Sequence, residues 1–127
     1  MVLIDLFQEE PDWAPRAATA IDRAIRSGRL IVCDVVWAEV AGRFASDVAL
    51  ASAMAELSIE FDPIDEAAAS KAGHLWRRFR QSGGGRRDRI VPDFLVGAHA
   101  LERADALLTR DRGFYRQYFK GLQVIEP

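Results

Sequence analysis

Short β-branched runs alternate with longer amphipathic stretches along this chain, and that alternation limits its fold more than any other feature. LIVCDVV, residues 30–36, is apolar, rich in β-branched residues and too short for a whole helix, so it predicts a buried strand. Before it, APRAATAIDRAIRS, residues 14–27, puts Ala17, Ile21, Ala24 and Ile25 on one helical face. Pro15 suits its first turn and Gly28 its end. Further helices are predicted over roughly 37–45, 47–57 and 65–81, the last with Ala68, Ala72, Leu75 and Phe79 along one side. SIEFDPI, residues 58–64, alternates and meets a proline, which predicts a short strand. SGGGRR is a flexible break. PDFLVGAHALERA is a helix starting at Pro92, DALLTRD a strand with a polar end, GFYRQYF a short helix and LQVIE a last strand. Such alternation predicts an α/β architecture with a mostly parallel sheet.

The length of 127 residues suits one domain, 1–127, with a real core. The formal charge of −2 gives no global attraction to nucleic acid, so any basic surface must be local. Cys33 is the lone cysteine and sits in an apolar run, which excludes a disulfide framework and fits a reducing compartment. No apolar run approaches the ~20 residues needed to span a membrane, and no leader pattern is present. The cytoplasm is the expected location.

Three acids stand in apolar surroundings. Glu39 lies in VVWAEVAGRF, Asp93 at the start of an apolar helix in VPDFLVGAHAL, and Asp111 past a strand in ALLTRDRGF. In an open parallel sheet, ligands collect outside the carboxyl ends of the strands, where the following helices begin. All three acids can converge there. Carboxylates brought together repel and hold their protons more tightly than in water. A hard cation, Mg²⁺ or Mn²⁺, relieves this through oxygen ligands. It also activates water and clamps a phosphodiester oxygen, so the cluster suggests metal-assisted phosphodiester hydrolysis. Each acid also has a plain structural reading: Asp93 as a helix-start residue, Glu39 as an exposed helix position, Asp111 as a cap.

VVWAEV, RIVPDFLVGAHAL and ADALLTRDRGFYRQYF resemble, in order and spacing, three acidic motifs of the PIN-domain nucleases, specifically the VapC-type toxins of bacterial toxin–antitoxin pairs. GLQVIEP is similar to that family's last strand. The resemblance implies an α/β/α sandwich, Mg²⁺ or Mn²⁺, endonucleolytic cleavage of RNA, inhibition by a cognate antitoxin and a homodimer. It implies that Glu39, Asp93 and Asp111 are acidic-site residues and that Thr109 supports them.

The opening MVLIDLFQEEPDW departs from the family pattern. In one register it matches the family's first helix and the loop after it. The first strand and its Asp then lie upstream, and Asp5 is a helix residue. In a second register MVLI is itself the strand and Asp5 the first metal ligand, but LFQEE lacks the expected Thr or Ser. Without that first acid, the alternative is a PIN-like module that binds RNA or an antitoxin without cutting.

Six arginines, Arg77, Arg78, Arg80, Arg86, Arg87 and Arg89, crowd one stretch. They read either as a solvated face or as a phosphate-tracking rim, with Arg86, Arg87 and Arg89 as the nucleic-acid-binding candidates. His99 reads as a packing or capping residue rather than a catalytic base.

Overall fold

The computed structural model describes residues 1–82 and 91–127. Eleven elements follow one another in them: α1 (Val2–Phe7), α2 (Ala14–Ser27), β1 (Leu30–Val32), α3 (Asp34–Ala41), α4 (Asp47–Glu56), β2 (Ile59–Phe61), α5 (Glu66–Gln81), α6 (Val91–Arg103), β3 (Ala106–Leu108), α7 (Arg112–Tyr118) and β4 (Gln123–Ile125).

Local chemistry sets several boundaries. Ser46 Oγ accepts the Ala49 N–H at 3.1 Å and starts α4; Asp65 Oδ1 accepts the Ala68 N–H at 2.8 Å and starts α5. The expected strand 30–36 ends early. Cys33 is extended and α3 begins at Asp34, so Val35 and Val36 are helical. The reason lies in the partner segment. The Asp62 N–H still donates to the Val32 carbonyl at 2.8 Å. The Ile64 N–H goes instead to Asp34 Oδ1 at 3.3 Å, so a side chain replaces the next rung of the ladder.

The strands are parallel, as the alternation predicts, but they do not form one sheet. β1 pairs with β2, with Leu30 opposite Ile59. β3 pairs with β4, with Ala106 opposite Gln123. Among the described residues these are two separate two-stranded sheets. MVLI does not join them, because it forms α1, with Val2 and Leu3 buried in the core shared with α2. The register that makes MVLI a strand is therefore not adopted. A cavity of about 1020 Å³ lies between the half-sheets and is lined by β1 along one wall and β3 along another.

Each half-sheet has its own core. Val2, Ile21, Val40, Leu50 and Met54 pack around β1 and β2. Phe79, Phe94, Phe114, Tyr115 and Phe119 pack around α5, α6 and α7, with Leu107 and Val124 of β3 and β4 against them. Helix α6 is central, with Phe94, Gly97, Ala98, His99 and Ala100 buried. Gly97 is there because a Cβ would come within 2.4 Å of the Phe119 ring. Among the described residues no helix is long and apolar enough to cross a membrane.

Candidate active site

The chain leaves β1 at Val32, turns at Cys33 and carries Glu39 on the second turn of α3. It enters α6 through Pro92, which puts Asp93 in the first helical turn. It leaves β3 at Leu108 and reaches Asp111 at the start of α7. There the Asp111 N–H donates to Thr109 Oγ1 at 3.1 Å, and the Thr109 N–H donates to the Ile125 carbonyl at 3.0 Å. The threonine thus ties the bend that presents Asp111 to the end of the β3·β4 ladder.

Glu39, Asp93, Thr109 and Asp111 all line the cavity between the half-sheets. Two of the acids feel each other. Partial desolvation raises the Glu39 carboxyl above its ordinary value, and the charge of Asp93 raises it further. These oxygens have the donor chemistry that Mg²⁺ and Mn²⁺ take, and Mg²⁺ is commonly held by one or two carboxylates plus waters. Glu39 and Asp93 fit that two-carboxylate arrangement in kind. Among the described residues no group of three His, Cys, Asp or Glu is spaced to hold an ion, so the full three-acid cluster is not gathered.

A family model described as PIN domain matches residues 1–120. The chain belongs to the PIN-domain family. A chain of VapBC2 from Rickettsia felis, in a crystal structure bound to a DNA fragment from their promoter, shares the fold with a TM-score of 0.69 at 17% identity. That likeness covers 98% of this chain and 92% of the other. No curated protein matches the sequence.

The remaining site residues read from the sequence fall as follows. Asp5 is buried on α1, with Oδ2 3.2 Å from Arg110 Nε and 4.0 Å from the Met1 amino group. Arg86, Arg87 and Arg89 lie outside the described residues. His99 is a buried packing residue, but it also has a polar role that the sequence did not disclose. Its Nε2 lies 2.7 Å from Asp62 Oδ2, and Arg103 grips the same carboxylate through two hydrogen bonds of 3.1 and 3.0 Å. Arg103 and His99 together hold the Asp62 carboxyl down at about 2. An ionised carboxylate only accepts, so His99 Nε2 carries the proton of that bond. The signal for Asp62 was faint: an acid directly after a strand and before a proline.

Proposed function

We propose that this PIN domain is a metal-dependent endoribonuclease, the toxin of a toxin–antitoxin pair, acting in the cytoplasm as a homodimer and held by its antitoxin. One observation carries the reading: acids from three elements, Glu39, Asp93 and Asp111, line one cavity between the two pairs of parallel strands. The fold shared with VapBC2 supports it, and the lone, buried Cys33 suits a reducing compartment. The three carboxylates would hold Mg²⁺ or Mn²⁺. When bound, such an ion lowers the pKa of a water and neutralises charge on the phosphodiester. The side chains do the rest. Asp93 and Glu39 would be the carboxylates that hold the cation, Thr109 fixes the bend that presents Asp111, and Arg86, Arg87 and Arg89 hold the RNA backbone.

Asp93→Asn tests this reading, since it keeps the shape and most of the helix-start chemistry while removing the charge. Cleavage of RNA in Mg²⁺ should fall by more than the ~10–100-fold that outer-sphere changes cost, with thermal stability nearly unchanged. Cleavage at the wild-type rate sinks the assignment.

A second reading is a PIN fold that binds RNA or antitoxin without cutting. It is favoured by the absence, among the described residues, of three gathered acids, and by two half-sheets whose facing strands are each paired on one side only. An N-terminal extension with an apolar strand ending in Asp separates the readings. A gain in both stability and cleavage marks a site completed by that strand; binding without cleavage in either form marks the binding module.

A further inference from the structure

Arg110 and Arg112 flank Asp111 in sequence; Arg112 pairs with Glu126, Nε to Oε1 at 3.3 Å, whereas Arg110 is anchored from behind. Its guanidinium Nε is 3.2 Å from Asp5 Oδ2, and its Cζ lies 4.4 Å from the centre of the Trp13 ring. The burial of the pair is lopsided: the Asp5 side chain is 8% exposed, that of Arg110 34%. The acid is therefore shut away while the cation keeps a wet face. Arg110 lines the cavity together with Glu39, Asp93 and Asp111; Asp5 belongs to the core beneath α1.

A carboxylate so deeply buried is costly unless a cation serves it. Asp5 Oδ2 receives no aligned hydrogen bond among the described residues, so Arg110 meets it as an ion pair and not through a directed N–H. The neighbouring arginine is differently employed. Arg16 also packs on Trp13, with Cζ 4.5 Å from the ring centre, but its Nη2 donates to the Pro127 carbonyl at 3.0 Å. Arg110 combines three properties that suit it to a phosphodiester. It has a planar fork of donors that matches phosphate geometry, a position on the wall shared with the acids, and a side chain whose freedom is already spent on Asp5 and Trp13.

We infer that Arg110 binds a backbone phosphate of the single-stranded RNA beside the acidic cluster, and that Asp5 is its positioning residue. This rests on the nuclease reading of the same cavity and adds to it the anchor of the strand. An acid that one register of the sequence makes a metal ligand thereby acquires a task away from the metal.

The sign of one substitution distinguishes positioning from plain charge. Asp5→Asn removes a negative charge near the RNA. If Asp5 acted only through its charge, binding would tighten. If it positions Arg110, binding weakens, by about two- to tenfold for the loss of one pre-ordered side chain. The measurement is fluorescence anisotropy of a short labelled single-stranded oligoribonucleotide in chelator, so that nothing is cut, across a series of salt concentrations. Arg110→Gln should reduce the salt slope by about 0.7, which is about fivefold in affinity near 0.1 M salt. Where Arg110→Gln strands the buried acid and fails to fold, the neutral pair Asp5→Asn with Arg110→Gln tests the same slope. Where Arg110→Gln does fold, adding Asp5→Asn to it should cause no further weakening. Wild-type binding with an unchanged slope in the Arg110 variants overturns the phosphate contact. Tighter binding by Asp5→Asn overturns the positioning. A wild-type chain that binds no RNA at all overturns the nuclease reading beneath both.

Discussion

The two halves of the molecule are packed by different means. Around α5, α6 and α7 the core is a mesh of rings: Phe94 meets Phe114 edge-on at 5.2 Å, Phe79 at 5.6 Å and Tyr118 at 5.9 Å. Around α1 to α4 the buried side chains are aliphatic, with Val40 and Met54 at the centre, and the ring pairs Phe7–Phe44 and Trp37–Phe61 sit among partly buried or exposed residues. Rings pack with geometric preference beyond the area they bury, whereas aliphatic burial is nearly non-directional. The ring half therefore holds its own shape, and the aliphatic half depends on close filling. The candidate site straddles them: Glu39 stands on the aliphatic half, Asp93 and Asp111 on the ring half. Polar bridges cross between the halves: Asp62 with His99 and Arg103, Asp5 with Arg110, and Arg16 with the Pro127 carbonyl. Leu108 of β3 adds an apolar link to the aliphatic core. The placement of Glu39 relative to Asp93 and Asp111 is thus set by the joint between the halves.

The contrast breaks most readily at its centre. Phe94→Ala should cost about 3–5 kcal/mol, because a fully buried ring with several ring neighbours leaves a void that the mesh cannot close. Val40→Ala, in the other half, should cost about 2 kcal/mol for two buried carbons and a smaller void. Denaturant titration of both variants checks the order; equal losses would mean the halves are packed alike.

A smaller effect is expected at Gly97. Gly97→Ala drives a methyl into the Phe119 ring, and the overpacking should cost about 1–3 kcal/mol even though alanine is the better helix former. A stabilised Gly97→Ala variant would mean that the ring half yields as easily as the aliphatic one.

The smallest effect, and the one that sharpens the comparison, is the pH dependence of the joint. The Asp62 carboxyl is lowered from 3.8 to about 2 in the folded chain. A depressed carboxylate contributes stability that is present above the unfolded value and is lost as pH falls through the folded one. Asp62→Asn should therefore be less stable than wild type near neutrality, with the difference shrinking between 3.8 and about 2. Melting curves of both proteins over that range test the sign. A gap that stays constant with pH would mean the carboxylate's charge is not what joins the halves.

Features carried by residues a turn or two apart are legible in the sequence. Ala17 and Ile21 mark the buried face of α2, Ala68, Ala72 and Phe79 that of α5, and both faces are buried as their spacing requires. The acids Glu39, Asp93 and Asp111 are legible because each follows a short apolar strand or opens an apolar helix. Their shared cavity is lined by β1 and β3, which belong to separate sheets, so the meeting of the halves brings the acids to it. Other features depended on groups distant along the chain. MVLI has a strand-like run of apolar residues, yet it is a helix because α2 offers it a face to bury against. LIVCDVV stops early because Asp34 takes the N–H of a residue thirty positions away. The pairs Asp62–His99 and Asp5–Arg110 leave no periodic trace, because an ion pair needs only two side chains to meet and sequence spacing says nothing about that meeting. Periodicity records which face of an element is apolar. Tertiary packing decides what that face meets, and here it decided that the sheet is two halves with a cavity between them.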